Sequence, residues 1–164
     1  MKPFISETIK YIGCDDRDLD LFESQYRVPE GMCYNSYVVF DEKVAIMDTV
    51  DPRCTDEWLA KLEDALGDRQ PDYLIVQHVE PDHAGVISEV VNKYPALQLV
   101  ASAKALTFIQ QFYEDLDLTG RTLAVSDGST LNLGKRTLHF ITAPMVHWPE
   151  VIMTYDDLDK VMFS

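Results

Sequence analysis

Tyr73-Leu74-Ile75-Val76 is a short β-branched and aromatic run that reads as a buried strand, and just beyond it stands His78-Val79-Glu80-Pro81-Asp82-His83. Ile87, Val90, Val91 and Tyr94 then mark one helical face. The six residues from 78 to 83 are therefore a loop rich in ligand-type side chains, held between a strand and a helix. Positions 78 and 80 project to one side of an extended backbone, while Pro81 fixes a turn that carries Asp82 and His83 in a second direction. Taken singly, Asp82 suits the N-cap of the helix that follows and Glu80 a solvated loop charge. Two imidazoles able to bind as neutral ligands and two carboxylates at one strand end favour a metal site instead, with room for two adjacent ions.

Outward from this loop, the periodicity changes twice. On the N-terminal side, Tyr34–Phe40 and Val44–Asp48 are β-branched and aromatic runs separated by Asp41-Glu42-Lys43, which predicts an antiparallel hairpin. From Thr55 the pattern turns helical: Thr55 can cap, Asp56 and Glu57 suit the first turn, and Trp58, Leu59, Leu62 and Leu66 share a face before Gly67. On the C-terminal side, Leu97–Val100 reads as a strand. Ser102 is the candidate N-cap of a helix through Leu106, Ile109 and Tyr113. Strand patterns return at Thr122–Val125, Thr137–Thr142, Val151–Tyr155 and Val161–Phe163. Antiparallel groups flanking a βαβα stretch imply a mixed sheet with helices on its outer side, a layered α/β or α+β arrangement. A strand running directly into Ser164 leaves an edge uncovered, so the sequence is expected to be part of a larger domain.

Its 164 residues, 46% of them hydrophobic, suffice for one core and are too few for two ordinary domains. No repeat, linker or low-complexity tract divides them. Asp and Glu number 28 against 14 Lys and Arg, and the net charge of −14 would repel phosphate backbones and anionic membranes. Nucleic acid and membrane partners are therefore not expected. The apolar runs are too short for a bilayer span, and the first residues lack the apolar core of a secretion signal. Cys14, Cys33 and Cys54 are odd in number and widely spaced, as suits reduced thiols that merely pack. A cytoplasmic protein is expected.

A second candidate segment is Ala143-Pro144-Met145-Val146-His147-Trp148-Pro149, which follows a strand and holds two prolines. His147 alone would as often be a buried, hydrogen-bonded histidine as a ligand; its weight comes from the cluster at 78–83. His139 alternates with Leu138 and Phe140 inside a strand and is read as a surface residue.

The pattern His78-x-Glu80-x-Asp82-His83 with the later Pro-Met-Val-His147-Trp148-Pro block resembles the flavodiiron proteins, or A-type flavoproteins. Tyr34-Asn35-Ser36-Tyr37, the strand ending in Asp48-Thr49-Val50-Asp51, and Thr154-Tyr155 fit the same family in the same order, so that nearly the whole chain is covered. The resemblance implies the first part of a metallo-β-lactamase-like αββα sandwich spanning residues 1–164, an α+β fold without the flavodoxin-like domain that binds FMN. It implies further that His78, Glu80 and His147 bind one iron and that Asp82 and His83 bind the other. The family completes the second ion with a bridging Asp and a further His, expected in a block immediately beyond Ser164. Zinc-dependent hydrolases of the same superfamily carry His in place of Glu80. A carboxylate there is a harder, anionic ligand that suits iron cycling between oxidation states, which zinc cannot do.

By the same resemblance, the complete protein is an oxygen or nitric oxide reductase whose substrate is a small diatomic molecule. Two irons and FMN are its cofactors, rubredoxin or a flavin domain is its electron donor, and a head-to-tail homodimer is its assembly. Two readings compete with this one: a zinc hydrolase in which metal-bound hydroxide attacks a carbonyl, and a truncated, inactive module.

Overall fold

A computed structural model describes residues 5–164. The first four residues, part of the stretch read as lacking a secretion signal, lie outside it. The chain opens with β1 (Ile9–Tyr11), β2 (Cys14–Asp16) and a two-strand ribbon, β3 (Leu21–Phe22) with β4 (Tyr26–Arg27). After β5 (Met32–Tyr34) comes the expected hairpin, β6 (Tyr37–Phe40) with β7 (Val44–Met47). Then follow α1 (Thr55–Leu66), β8 (Tyr73–Ile75), α2 (Pro81–Ala84), α3 (Ile87–Lys93), β9 (Gln98–Ser102) and α4 (Ala103–Phe112). Strands β10 (Thr122–Val125), β11 (Thr130–Asn132), β12 (Thr137–Thr142), β13 (Ile152–Asp156) and β14 (Val161–Phe163) complete the order.

Strands β1, β6, β7, β8, β9 and β10 lie side by side in that order in one mixed sheet. The β1–β6 and β6–β7 pairs are antiparallel, whereas β7–β8, β8–β9 and β9–β10 are parallel. Strands β11 to β14 form a second, antiparallel sheet. Strict alternation along the first sheet explains the layering. Val38, Val44, Ile46, Leu74, Val76, Leu99 and Ala101 pack with Trp58, Leu62, Ile87, Val90, Val91 and Ile109 of the helices. Their neighbours Val39, Ala45, Met47, Tyr73, Ile75 and Val100 pack instead against Leu131, Leu138, Phe140, Ile152 and Phe163 of the second sheet. Helices, sheet and sheet make three successive layers among the described residues, the first three of the expected four.

Local chemistry departs from expectation at one helix start and meets it at another. Thr55 does not cap α1. Asp51 instead accepts the Arg53 N–H and starts a 3₁₀ turn, Pro52–Cys54, that runs into the helix. Ser102 does cap α4, its hydroxyl accepting the Ala105 N–H at 3.1 Å. Cys14 and Cys54 pack in the core and burial pushes the Cys14 thiol up to about 12, but Cys33 is exposed rather than packed.

Three connections bring the functional segments together. Register places Met47 beside Ile75, so the chain leaves β7 and β8 at the same edge of the sheet. Thr142 pairs with Ile152, which closes the loop carrying His147 at that edge too. The Ile152 N–H then donates to the Gln77 carbonyl at 3.0 Å and joins the second sheet to the end of β8. At the far edge, the buried Arg136 guanidinium ties the two sheets through Asp156 at 2.5 Å, Asp159 at 3.1 Å and the Thr8 hydroxyl.

Candidate metal centre

Glu80 terminates the run from β8, and its carbonyl accepts the N–H groups of His83 and Ala84, which starts α2 with Pro81 in the first turn. Asp82 therefore sits inside the helix and makes no cap, contrary to one of its sequence readings. The loop is held from below by the end of β7. Thr49 donates to the His83 carbonyl from both its N–H, at 2.7 Å, and its hydroxyl, at 2.9 Å. Gly85 permits this approach, since a Cβ there would lie 2.3 Å from the Pro52 ring and 2.6 Å from the Pro81 carbonyl.

All five sequence-predicted residues lie at this one edge. Nε2 of His78 is 3.0 Å from Oε2 of Glu80 and 3.2 Å from Nε2 of His147, and His147 Nε2 is 2.8 Å from the same Glu80 oxygen. Three donor atoms from residues 78, 80 and 147 thus face one point, within the reach of a single ion. Asp82 and His83 stand next to this trio and are not part of it. The His83 ring centroid is 5.2 Å from that of His78, and its Nε2 is 3.8 Å from Oδ2 of Asp82. His139 is remote from the group, paired with Asp157 at 3.6 Å. Trp148 stacks edge-on against His78 with centroids 5.2 Å apart. A cavity of about 530 Å³ opens over the group, with Phe22, Glu23, Tyr26 and Val146 at its walls.

Two acids that sequence reasoning gave no role hold the imidazoles. Oε1 of Glu150 lies 2.7 Å from Nδ1 of His78, and Oδ2 of Asp48 lies 3.1 Å from Nδ1 of His83. Asp48 adopts φ 53°, a left-handed conformation that Asp tolerates better than most residues. Its carboxylate also takes the Gln77 N–H at 2.7 Å, and Ser36 donates to its carbonyl at 2.8 Å. The one available signal was a charged residue directly ending the apolar strand Val44–Met47. Glu150, directly after Trp148-Pro149, carried none.

The electrostatics are those of a crowded, desolvated acid cluster. Burial pushes Glu80 up, as do Glu23 and Asp82 beside it, while His78 and His147 pull it down. Burial likewise raises Asp82 against the pull of His83 and His78. For His83, burial disfavours the charge, but the Asp48 hydrogen bond and the acids around it prevail and push the imidazole up to about 9. Gln77 Oε1, Glu80 Oε1, Asp82 Oδ1 and Glu150 Oε2 are buried acceptor atoms here without a hydrogen-bond partner. Buried oxygens in that state call for a donor or a cation. The donor set, two imidazole nitrogens and several carboxylates, fits iron and other first-row metals.

Comparison with known proteins agrees with this fold. Residues 32–164 match the model of the ODP family beta lactamase domain. The chain is 33% identical over 152 residues to the nitric oxide reductase of Moorella thermoacetica, covering 92% of this chain and 38% of that one. It superposes on the flavodiiron protein of Giardia intestinalis with a TM-score of 0.89 and 30% identity, covering 98% of this chain and 38% of the other. On the rubredoxin oxygen:oxidoreductase of Desulfovibrio gigas the TM-score is 0.90 at 29% identity, covering 97% and 39%. The chain spans about a third of the length of the curated relatives it matches. No described helix is long and apolar enough to cross a membrane. With its own match covering residues 32–164 and its fold that of the N-terminal part of flavodiiron proteins, the chain belongs to the ODP family of beta-lactamase domains.

Proposed function

We propose that this chain supplies the diiron half-site of an oxygen or nitric oxide reductase. The observation that carries the reading is the convergence of His78 Nε2, His147 Nε2 and Glu80 Oε2, each pair within 3.2 Å. These three hold the first iron, and Asp82 with His83 contribute to the second. Iron held by these residues would supply the electrons for reduction of a small diatomic substrate.

The residues of the chain do the rest. Glu80 brings a negative charge that favours the oxidised metal over a neutral ligand set. Phe22, Tyr26 and Val146 give the cavity an apolar wall that suits a small uncharged molecule. His147, the most exposed of the five, lies at the mouth, where an electron donor can approach. Names among the relatives, a nitric oxide reductase and a rubredoxin oxygen:oxidoreductase, support both the substrate class and a redox partner. FMN as the proximal donor and a homodimer as the assembly belong to the same proposal.

The test is the metal content of protein produced in medium supplemented with equal iron and zinc and purified without oxygen. Iron in clear excess over zinc is the expected result. Zinc alone, together with hydrolysis of a thioester or lactam reporter, would overturn the assignment in favour of a hydrolase.

A further inference from the structure

The environment of Glu150 carries a role that the ligand set does not contain. Its side chain is fully buried, lies three residues beyond His147, and bonds to a segment 72 residues away. Oε1 accepts the Val79 N–H at 3.2 Å as well as Nδ1 of His78 at 2.7 Å. Its carbonyl accepts the Ser102 hydroxyl at 2.8 Å, and that hydroxyl caps α4. One residue therefore links the end of β8, the loop of His147 and the start of α4.

We infer that Glu150 is the positioning residue of the first metal position, fixing His78 as the tautomer whose Nε2 is free to bind and holding the loop of His147 in register with it. This rests on the metal reading above. Two carboxylate oxygens face the ring, Glu150 Oε1 at 2.7 Å from Nδ1 and Glu80 Oε2 at 3.0 Å from Nε2. The shorter contact, from a carboxylate also anchored by the Val79 N–H, takes the proton of the neutral ring on Nδ1. Nε2 is left with its lone pair directed at the point shared by Glu80 and His147. A ring so oriented binds without first flipping or changing tautomer, and the anion behind it makes the imidazole a stronger donor. The contact between Oε1 and the Val79 N–H keeps the carboxylate in place while this happens. His83 lies outside this network and is held by Asp48 instead.

The experiment compares wild type with Glu150→Gln, which keeps size and loses charge, and Glu150→Leu, which loses both. Two readings are taken on each. In metal-free protein at pH 8, long-range proton–nitrogen NMR reports which nitrogen of His78 is protonated. In a cobalt(II) titration, the visible bands report affinity. We expect His78 protonated at Nδ1 in wild type and shifted toward Nε2 protonation in Glu150→Leu. Cobalt affinity should fall about 10- to 100-fold in both variants. Unchanged affinity in both variants with an unchanged His78 tautomer would overturn the inference. Should Glu150→Leu not fold, Glu150→Gln with wild-type cobalt affinity overturns it equally. A wild type that binds no cobalt defeats the metal reading alone, since the tautomer is read without metal.

Discussion

Asp48 and His83 are 35 residues apart in sequence, yet Oδ2 of the first lies 3.1 Å from Nδ1 of the second, because parallel pairing of β7 and β8 delivers both chain ends to one edge. The pair is buried on the aspartate side, with a side chain 3% exposed, and partly open on the histidine side, at 25%. In the metal-free chain it acts as an ion pair that anchors the ligand loop.

Asp48→Asn is therefore expected to destabilise the metal-free protein by about 1–3 kcal/mol, the usual cost of a broken buried hydrogen bond to charge. The sign with pH follows from the raised imidazole. Its folded value of about 9 exceeds the unfolded value, so the stabilisation is fully present below about pH 6.5 and fades as pH rises through 9. Urea unfolding of both proteins between pH 6 and pH 10 checks this. The gap between them should shrink at the alkaline end, and a gap that widened there would remove the ion pair from the explanation.

The helix behind the loop should be sensitive on one face only. Ile87 and Val90 are fully buried against the first sheet. Ile87→Ala is expected to cost about 2–5 kcal/mol and Val90→Ala somewhat less, while Lys93→Ala, which removes a surface pair with Glu63, should cost under about 1 kcal/mol. Chemical denaturation curves on the three variants rank them directly.

Arg136 supports the opposite edge. Replacing it with Leu strands Asp156, itself fully buried, together with Asp159 and Asp41, and should cost about 3–5 kcal/mol. Metal affinity should be unaffected in whatever fraction remains folded, because the network lies at the far end of the sheets. Thermal melting alongside a cobalt titration separates the two effects.

The helices, the hairpin and the ligand loop were legible because each is written locally. Pro81 after Glu80, the 3–4 spacing of Trp58, Leu62 and Leu66, and the alternation about His139 all have short-range signatures. The short strands β1 to β5 and β11 were not legible, since two- or three-residue strands among charged residues carry almost no period. Asp51 displaced Thr55 as the starting cap because a 3₁₀ turn precedes α1, and nothing in the helical period announces such a turn. Glu150 and Asp48 escaped notice for a different reason. Their roles arise from contacts 72 and 35 residues distant, set by sheet register and not by neighbours in sequence.

Two metal positions of unequal strength should be measurable. In the proposed assignment the first position takes three donors, His78, Glu80 and His147, whereas the second takes Asp82 and His83 among the described residues. Ferrous iron is expected to bind in two phases, the second removed by a mild chelator that leaves the first. Sustained consumption of oxygen or nitric oxide by this chain with dithionite and free FMN is not expected. Two equally tight irons with continuous turnover would show that another group of the chain completes the second position.

The most direct measurement is anaerobic ferrous iron binding to wild type and to Glu80→Ala, His147→Ala and His139→Ala, each checked for folding by circular dichroism. With His78, Glu80 and His147 as the first ligand set, wild type and His139→Ala should each retain one tightly held iron per chain after desalting, while Glu80→Ala and His147→Ala retain little or none. Folded Glu80→Ala and His147→Ala proteins that keep a full iron per chain, or a folded wild type that keeps none, would contradict the assignment of this edge as a metal centre.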